Sequence, residues 1–219
     1  RQVRVRRGYF FHWDRLLLKD FLVLSIPVVL NETLWGAGMS ANAAILGQMG
    51  SPAAAANSVV RVIRELVMVM SIGLSAATSV LVGKAIGEKK LDEAETYAGR
   101  MVCLSIGVTS CASAVMFSLR HVIVGALVLG PEAKEYLLFM LAVLAVYNLC
   151  QSVTCPVIVG VLRAGGDTRF GLILEGSALW VGSIFMGWIG AFLLHLPVKA
   201  VFALLMLDEF IKLPFAAWR

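Results

Sequence analysis

Residues 136–170 read YLLFMLAVLAVYNLCQSVTCPVIVGVL followed by RAGGDTRF. The stretch from Tyr136 to Leu162 carries no charged side chain over 27 residues. A helix needs roughly 20 residues to cross a hydrocarbon core of about 30 Å. Arg163 to Arg169 then supplies two glycines and alternating charge, the composition of a tight turn. A long apolar run closed by a charged glycine turn is half of a membrane hairpin.

The same pattern repeats on both sides. Between Asp20 and Gly50 the only charged residue is Glu32. Leu66 to Gly83 is uncharged, and its apolar pattern extends back to about Ala53, broken by Arg61, Arg64 and Glu65. Met101 to Leu119 is uncharged, Phe170 to Val198 contains only Glu175, and Ala200 to Trp218 contains only Asp208, Glu209 and Lys212. These runs predict an all-α, polytopic membrane protein of six transmembrane helices. Val122 to Leu129 is too short for a further span and is expected at the interface. The connections are short, so consecutive spans are expected to be antiparallel. Asp92, three residues before Glu95, predicts a capped start to the third helix.

Composition agrees. Of 219 residues, 59% are apolar and 15% charged, against about 25% charged in soluble domains. Mean hydropathy is +0.85. These values argue against a soluble globular domain, a disordered chain and a coiled coil. Cys103, Cys111, Cys150 and Cys155 form no CxxC pair, so neither a disulfide framework nor a metal set is expected. The opening residues show no leader-like pattern, so no secretory leader is expected, and the Arg1 start reads as a piece of a longer protein beginning in a loop.

The net charge of +5 is explained by topology. Six basic residues precede the first span (Arg1, Arg4, Arg6, Arg7, Arg15, Lys19). Lys84, Lys89, Lys90 and Arg100 flank the second connection, Arg163 and Arg169 the fourth, and Lys212 and Arg219 the end. The opposite side has only Arg120, Lys134 and Lys199. Positive residues concentrate on the cytoplasmic side, so both termini are expected there, in a plasma (inner) membrane. The partners expected on this ground are the lipid bilayer and its anionic headgroups, with no nucleic acid. Phe10, Phe11 and Trp13 predict an interfacial anchor.

Three segments in order carry a family resemblance: PVVLNETLWG (Pro27–Gly36), VLVGKAIGEKKLDEAETYAGR (Val80–Arg100) and GVLRAGGDTRF (Gly160–Phe170). They resemble the seventh helix, the eighth-to-ninth connection and the tenth-to-eleventh turn of multidrug and toxic compound extrusion (MATE) transporters, and the C-terminal stretch resembles the twelfth helix. The resemblance covers nearly the whole chain. It implies the C-terminal six-helix lobe (residues 21–219) preceded by part of a cytoplasmic interlobe linker (residues 1–20), with the N-terminal six-helix lobe as the missing partner. It further implies half of a cation-coupled antiporter that exports small amphipathic organic substrates by alternating access, with H⁺ or Na⁺ as coupling ion and no other cofactor. Two alternatives stand beside it: a flippase for lipid-linked saccharides, related through the same superfamily, and a truncated scaffold subunit that transports nothing. No nucleophile–base set or metal-ligand spacing appears, so no enzyme is expected.

Ionisable residues inside spans are the candidate sites. Glu32 lies about 18 Å along the helix from Asp20 at 1.5 Å per residue, near mid-bilayer. Asn31 stands beside it, and Pro27 deprives the Val23 carbonyl of its helical partner, so a kink is expected. Glu32 is expected to be buried, either binding H⁺ or Na⁺ with Asn31 or serving as hydrogen-bonded structural glue. In the resembling family one branch carries an acidic residue in this helix at a cation site, and Glu32 matches it. That branch also uses acids in the tenth helix, where this chain has none. Tyr147, Asn148 and Gln151 are the neutral substitutes expected to complete a shell. Arg61, Arg64 and Glu65 form a second cluster, either a cleft wall or a pair at i, i+4 near a wet vestibule. Asp208 and Lys212 are spaced to pair on the last span, and Glu175 is expected to reach the near membrane surface.

Overall fold

The computed structural model describes residues 15–218. The 1–14 segment, including Phe10, Phe11, Trp13 and most of the expected linker, lies outside the described residues.

Five helices are long and apolar enough to cross a membrane. They are α1 (Arg15–Gln48), α2 (Ser51–Gly87), α3 (Leu91–Ala126), α4 (Pro131–Leu162) and α5 (Thr168–Leu193). The sixth expected crossing is divided into α6 (Val198–Leu205) and α7 (Asp208–Trp218). No strand occurs among the described residues. Local chemistry sets the ends. Pro52 and Pro131 occupy first-turn positions, where a missing N–H costs nothing. Gly166 adopts φ +82° in the turn before α5, a conformation open to glycine at little cost.

Several expectations change here. Val122–Ala126 forms no separate element, because α3 continues through it. The α3 cap is Lys90 without a side-chain cap bond, so Asp92 acts only as a first-turn carboxylate favoured by the helix dipole. Pro27, where a kink is expected, sits inside α1. The last span is two helices, since the chain tightens at its middle: Met206 and Leu207 donate to the carbonyls of Ala203 and Leu204, both at 3.2 Å, and the i→i+3 pattern closes α6.

α4 is the central helix. Its span is 61% buried within the protein, against 17% for α1 and 22% for α3. Leu137, Met140, Leu141 and Leu144 are fully buried and pack with Val201 and Phe202 of α6. Close approach of α4 to α2 requires Gly160, where a Cβ would lie 2.9 Å from Thr78. The last seven residues of α4 (Pro156–Leu162) and much of α5 are wound as π-helix, beginning in α4 at Pro156, which has no N–H to donate. Large apolar side chains face outward on every long helix, among them Phe21, Leu66, Val80, Val122, Ile173 and Leu193. Such a surface belongs in lipid or against another apolar body.

Candidate functional site

The break between α6 and α7 builds the site. It puts the amino end of α7 inside the protein, with Asp208 and Glu209 in its first turn. Free N–H groups and the positive end of the helix dipole favour carboxylates there. Lys212, one turn on, reaches back with Nζ to Asp208 Oδ2 (3.1 Å) and Glu209 Oε1 (2.6 Å). All three side chains are about 95% buried. Thr154 Oγ1 of α4 donates to the second oxygen of Glu209.

Tyr147 of α4 joins this triad to α2. Its hydroxyl accepts from Arg64 Nη2 at 2.6 Å and faces Asp208 Oδ2 at 3.4 Å and Glu209 Oε1 at 3.5 Å, either of which accepts its single proton. The Arg64 guanidinium also lies 4.6 Å from the centre of the Tyr147 ring, a cation–π contact. Arg64 and Lys212 balance Asp208 and Glu209, so the buried network is neutral. Buried charge is tolerated when paired and hydrogen-bonded: Asp208, Glu209 and Lys212 are ion-paired, while Arg64 is held by the Tyr147 hydroxyl and ring and by Met39 Sδ.

Beside the network is a cavity of about 510 Å³. Its walls come from α1 (Asn31, Glu32, Trp35), α2 (Glu65, Met68, Ile72), α4 (Gln151, Thr154, Ile158), Arg163 at the end of α4, Glu175 of α5 and Glu209 of α7. It is apolar in its bulk and carboxylate-rich at its edges. A pocket of this size and lining suits a small organic molecule.

The expected site residues divide between these two places. Glu32 lines the cavity but is not buried: 56% of its side chain is exposed, and it is paired with Arg163 at 2.7 Å. The expectation of burial assumed that helical depth equals enclosure; α1 turns that face towards the open cavity. Asn31 is buried and donates through Nδ2 to Glu175 Oε2. Glu175 therefore turns towards α1 and the cavity. Arg61 and Glu65 pair at 3.1 Å on an exposed face, whereas Arg64 points inward to Tyr147, so the second cluster is two separate features. Gln151 is buried at the cavity wall. Asn148 is fully buried and neither of its amide atoms finds a hydrogen-bond partner among the described residues. Asp208 pairs with Lys212 as its spacing suggests.

Sequence reasoning gave no site role to Arg163 or Thr154, and placed Glu209 only in a charged cluster with Asp208 and Lys212. Arg163 read as turn charge, and its partner is 131 residues away. Glu209 carried a signal in its i, i+3 spacing to Lys212. No three-residue His, Cys, Asp or Glu group fit for a metal occurs among the described residues.

The MatE family profile matches residues 27–189. A Bacillus subtilis protein named as the uncharacterized transporter YisQ is 19% identical over 220 residues, covering all of this chain and 48% of that protein. A probable multidrug resistance protein NorM of Xylella fastidiosa is 26% identical over 172 residues, covering 77% of this chain and 35% of its own length. Among solved structures, a MOP superfamily transporter from Pyrococcus furiosus superposes with a TM-score of 0.83 at 18% identity, over 91% of this chain and 44% of that one. A MATE structure in complex with MaD5 gives 0.84 at 18% identity, over 92% and 45%. The chain thus spans under half the length of these relatives.

Proposed function

The chain belongs to the MatE family, and from that premise we propose that it is one six-helix lobe of a cation-coupled multidrug efflux antiporter, completed by a second lobe. Members of this family are transporters and not enzymes. The chain is a multi-pass membrane protein, and relatives about twice as long are named for multidrug resistance. In this reading both termini face the cytoplasm of the cell that carries it in its plasma membrane. The two lobes rock around a shared cleft, exposing it to one side and then the other.

The observation that carries the proposal is the cavity: an apolar pocket of about 510 Å³ edged by Glu32, Glu65, Glu175 and Glu209. Apolar walls receive the organic body of a substrate, and the acidic edge receives cationic groups. H⁺ or Na⁺ enters the same cavity on the side lined by Asn31 and Glu32. Neutralising a carboxylate changes the relative stability of two helix packings, which is how an ion gradient drives a change of access. A lipid-linked saccharide substrate would suit a cationic wall at Arg61 and Arg64. Arg64 is turned to Tyr147 and Arg61 is paired with Glu65, so that wall offers little free positive charge.

The test is efflux. Co-expressed with an N-terminal six-helix lobe in vesicles, the chain should expel a cationic dye when a Na⁺ or proton gradient is imposed. Efflux that ignores both gradients would refute coupling. Accumulation of a lipid-linked precursor on deletion, with dye efflux unaffected, would favour the flippase. Loss of a partner complex without any transport change would favour the scaffold.

A further inference from the structure

The buried network has one loose end. Arg64 donates through Nη2 to the Tyr147 hydroxyl and through Nη1 to Met39 Sδ at 3.3 Å. Its Nε–H has no hydrogen-bond partner among the described residues, although Arg64 is only 5% exposed. A complementary loose end stands on α1. Asn42 is 6% exposed, and its Oδ1 likewise has no partner among the described residues. Buried side-chain polar atoms are normally bonded. Here a donor is left over on α2 and an acceptor on α1.

Both residues line one small cavity of about 20 Å³, walled by Met39 and Asn42 of α1, Asn57, Arg61 and Arg64 of α2, and Met206 at the break between α6 and α7. Met39 ties the two loose ends together. Its sulfur accepts from the Arg64 guanidinium, and it stands three residues before Asn42, on the same face of α1. A buried water needs about 10–15 Å³ of such space and makes about three hydrogen bonds. So small a space brings its lining within contact of a single occupant. An anion fits it poorly, because the Arg64 charge is already balanced within the network and the open atom of Asn42 is an oxygen. Water accepts from the one and donates to the other.

We propose that this cavity binds one ordered water molecule, which accepts from Arg64 Nε–H and donates to Asn42 Oδ1. Its third bond goes to Asn57 or Arg61, the other polar groups in the wall. The water carries the hydrogen-bonded chain of Lys212, Glu209, Tyr147 and Arg64 across to α1; the protein groups of that chain by themselves join α7, α4 and α2. It fastens α1 about three turns beyond Asn31. The site shares no lining residue with the larger cavity, so it stands whatever that cavity binds.

Radiolytic footprinting of the whole chain purified in detergent tests it. X-ray pulses split water into hydroxyl radicals, which oxidise methionine sulfur close to where they form. Met206 is 4% exposed and Met116 is 5% exposed, so bulk water reaches them about equally. A water held against Met206 should make its conversion to the sulfoxide several-fold faster than that of Met116, read by mass spectrometry. Asn42→Leu removes the acceptor and fills the space. Ala43→Val fills it from another lining residue and leaves both polar atoms in place. Each should bring Met206 down to the rate of Met116, with circular dichroism checking that the helices hold; where one variant does not fold, the other decides. Met206 oxidised no faster than Met116 in the parent chain, or no slower in a folded variant, overturns the proposal. So does a melting temperature raised by Ala43→Val, because filling an empty space stabilises a protein, whereas expelling the water leaves two buried groups unpaired.

Discussion

Lys212 holds two carboxylates in a place with almost no water. Replacing it with methionine leaves both buried and unpaired, and breaking such a network costs about 3–5 kcal/mol. Lys212→Met should therefore lower the melting temperature of the purified chain sharply, and adding Asp208→Asn with Glu209→Gln should recover much of the loss. Tyr147→Phe keeps the ring over which Arg64 lies but removes the hydroxyl that accepts from it. That should cost about 1–3 kcal/mol, the penalty for an unsatisfied buried donor. Glu32→Ala should cost less than about 1 kcal/mol, because an ion pair this exposed contributes little. If the melting shifts do not follow the order Lys212, Tyr147, Glu32, the division into a buried network and an open cavity is wrong. The Asp208–Lys212 pair was legible from its spacing, because i, i+4 residues on a helix are neighbours whatever the fold. The Arg163–Glu32 pair was not, since nothing in the chain between them fixes their approach.

Among the elements, the divided last crossing matters most. A continuous helix from Ala200 would have satisfied the N–H groups of Asp208 and Glu209 within itself. The break leaves them free at a helix amino end, where they favour the carboxylates. The contact of α4 with α2 is equally specific. Gly160→Leu places a side chain where Thr78 and the Ser75 carbonyl already stand, at 2.9 and 3.2 Å from the Cβ. Overpacking of this kind costs about 1–3 kcal/mol, and Thr78→Ala should return only part of it, because the Ser75 carbonyl stays; thermal unfolding of the single and double variants checks this. The α2–α3 connection behaves differently. Lys90 is exposed, and its pKa is raised above the usual lysine value by hydrogen bonding to Glu88 and by the nearby charge of Glu93. Its folded-state advantage is complete below the ordinary lysine pKa and fades only as pH rises through the raised one. This connection therefore adds no pH dependence near neutrality.

At the scale of the whole molecule, the described residues form an apolar body around a buried polar network. If each long helix crosses once, the three spans α3, α4 and α5 between them put the α2–α3 and α5–α6 connections on opposite sides of the membrane. Cysteines placed at Lys89 and at His195 should therefore react with an impermeant thiol reagent from opposite faces, in a background lacking Cys103, Cys111, Cys150 and Cys155. Labelling of both from one face would refute six crossings, and labelling of Lys89→Cys from outside would reverse the orientation read from Lys and Arg. The sequence by itself determined the class, the membrane setting and nearly all the helices. Those rest on composition and on runs of apolar residues long enough to cross lipid, which are properties of local chain and solvent. Which charged groups meet was decided only by the tertiary structure. The spans are apolar nearly all round, so periodicity does not say which face turns inward, and pairing depends on helix rotation, on the break before Asp208 and on the approach at Gly160. Glu32 stood out in the sequence because it was alone in its run; packing gave it Arg163 and gave Glu175 the Asn31 amide.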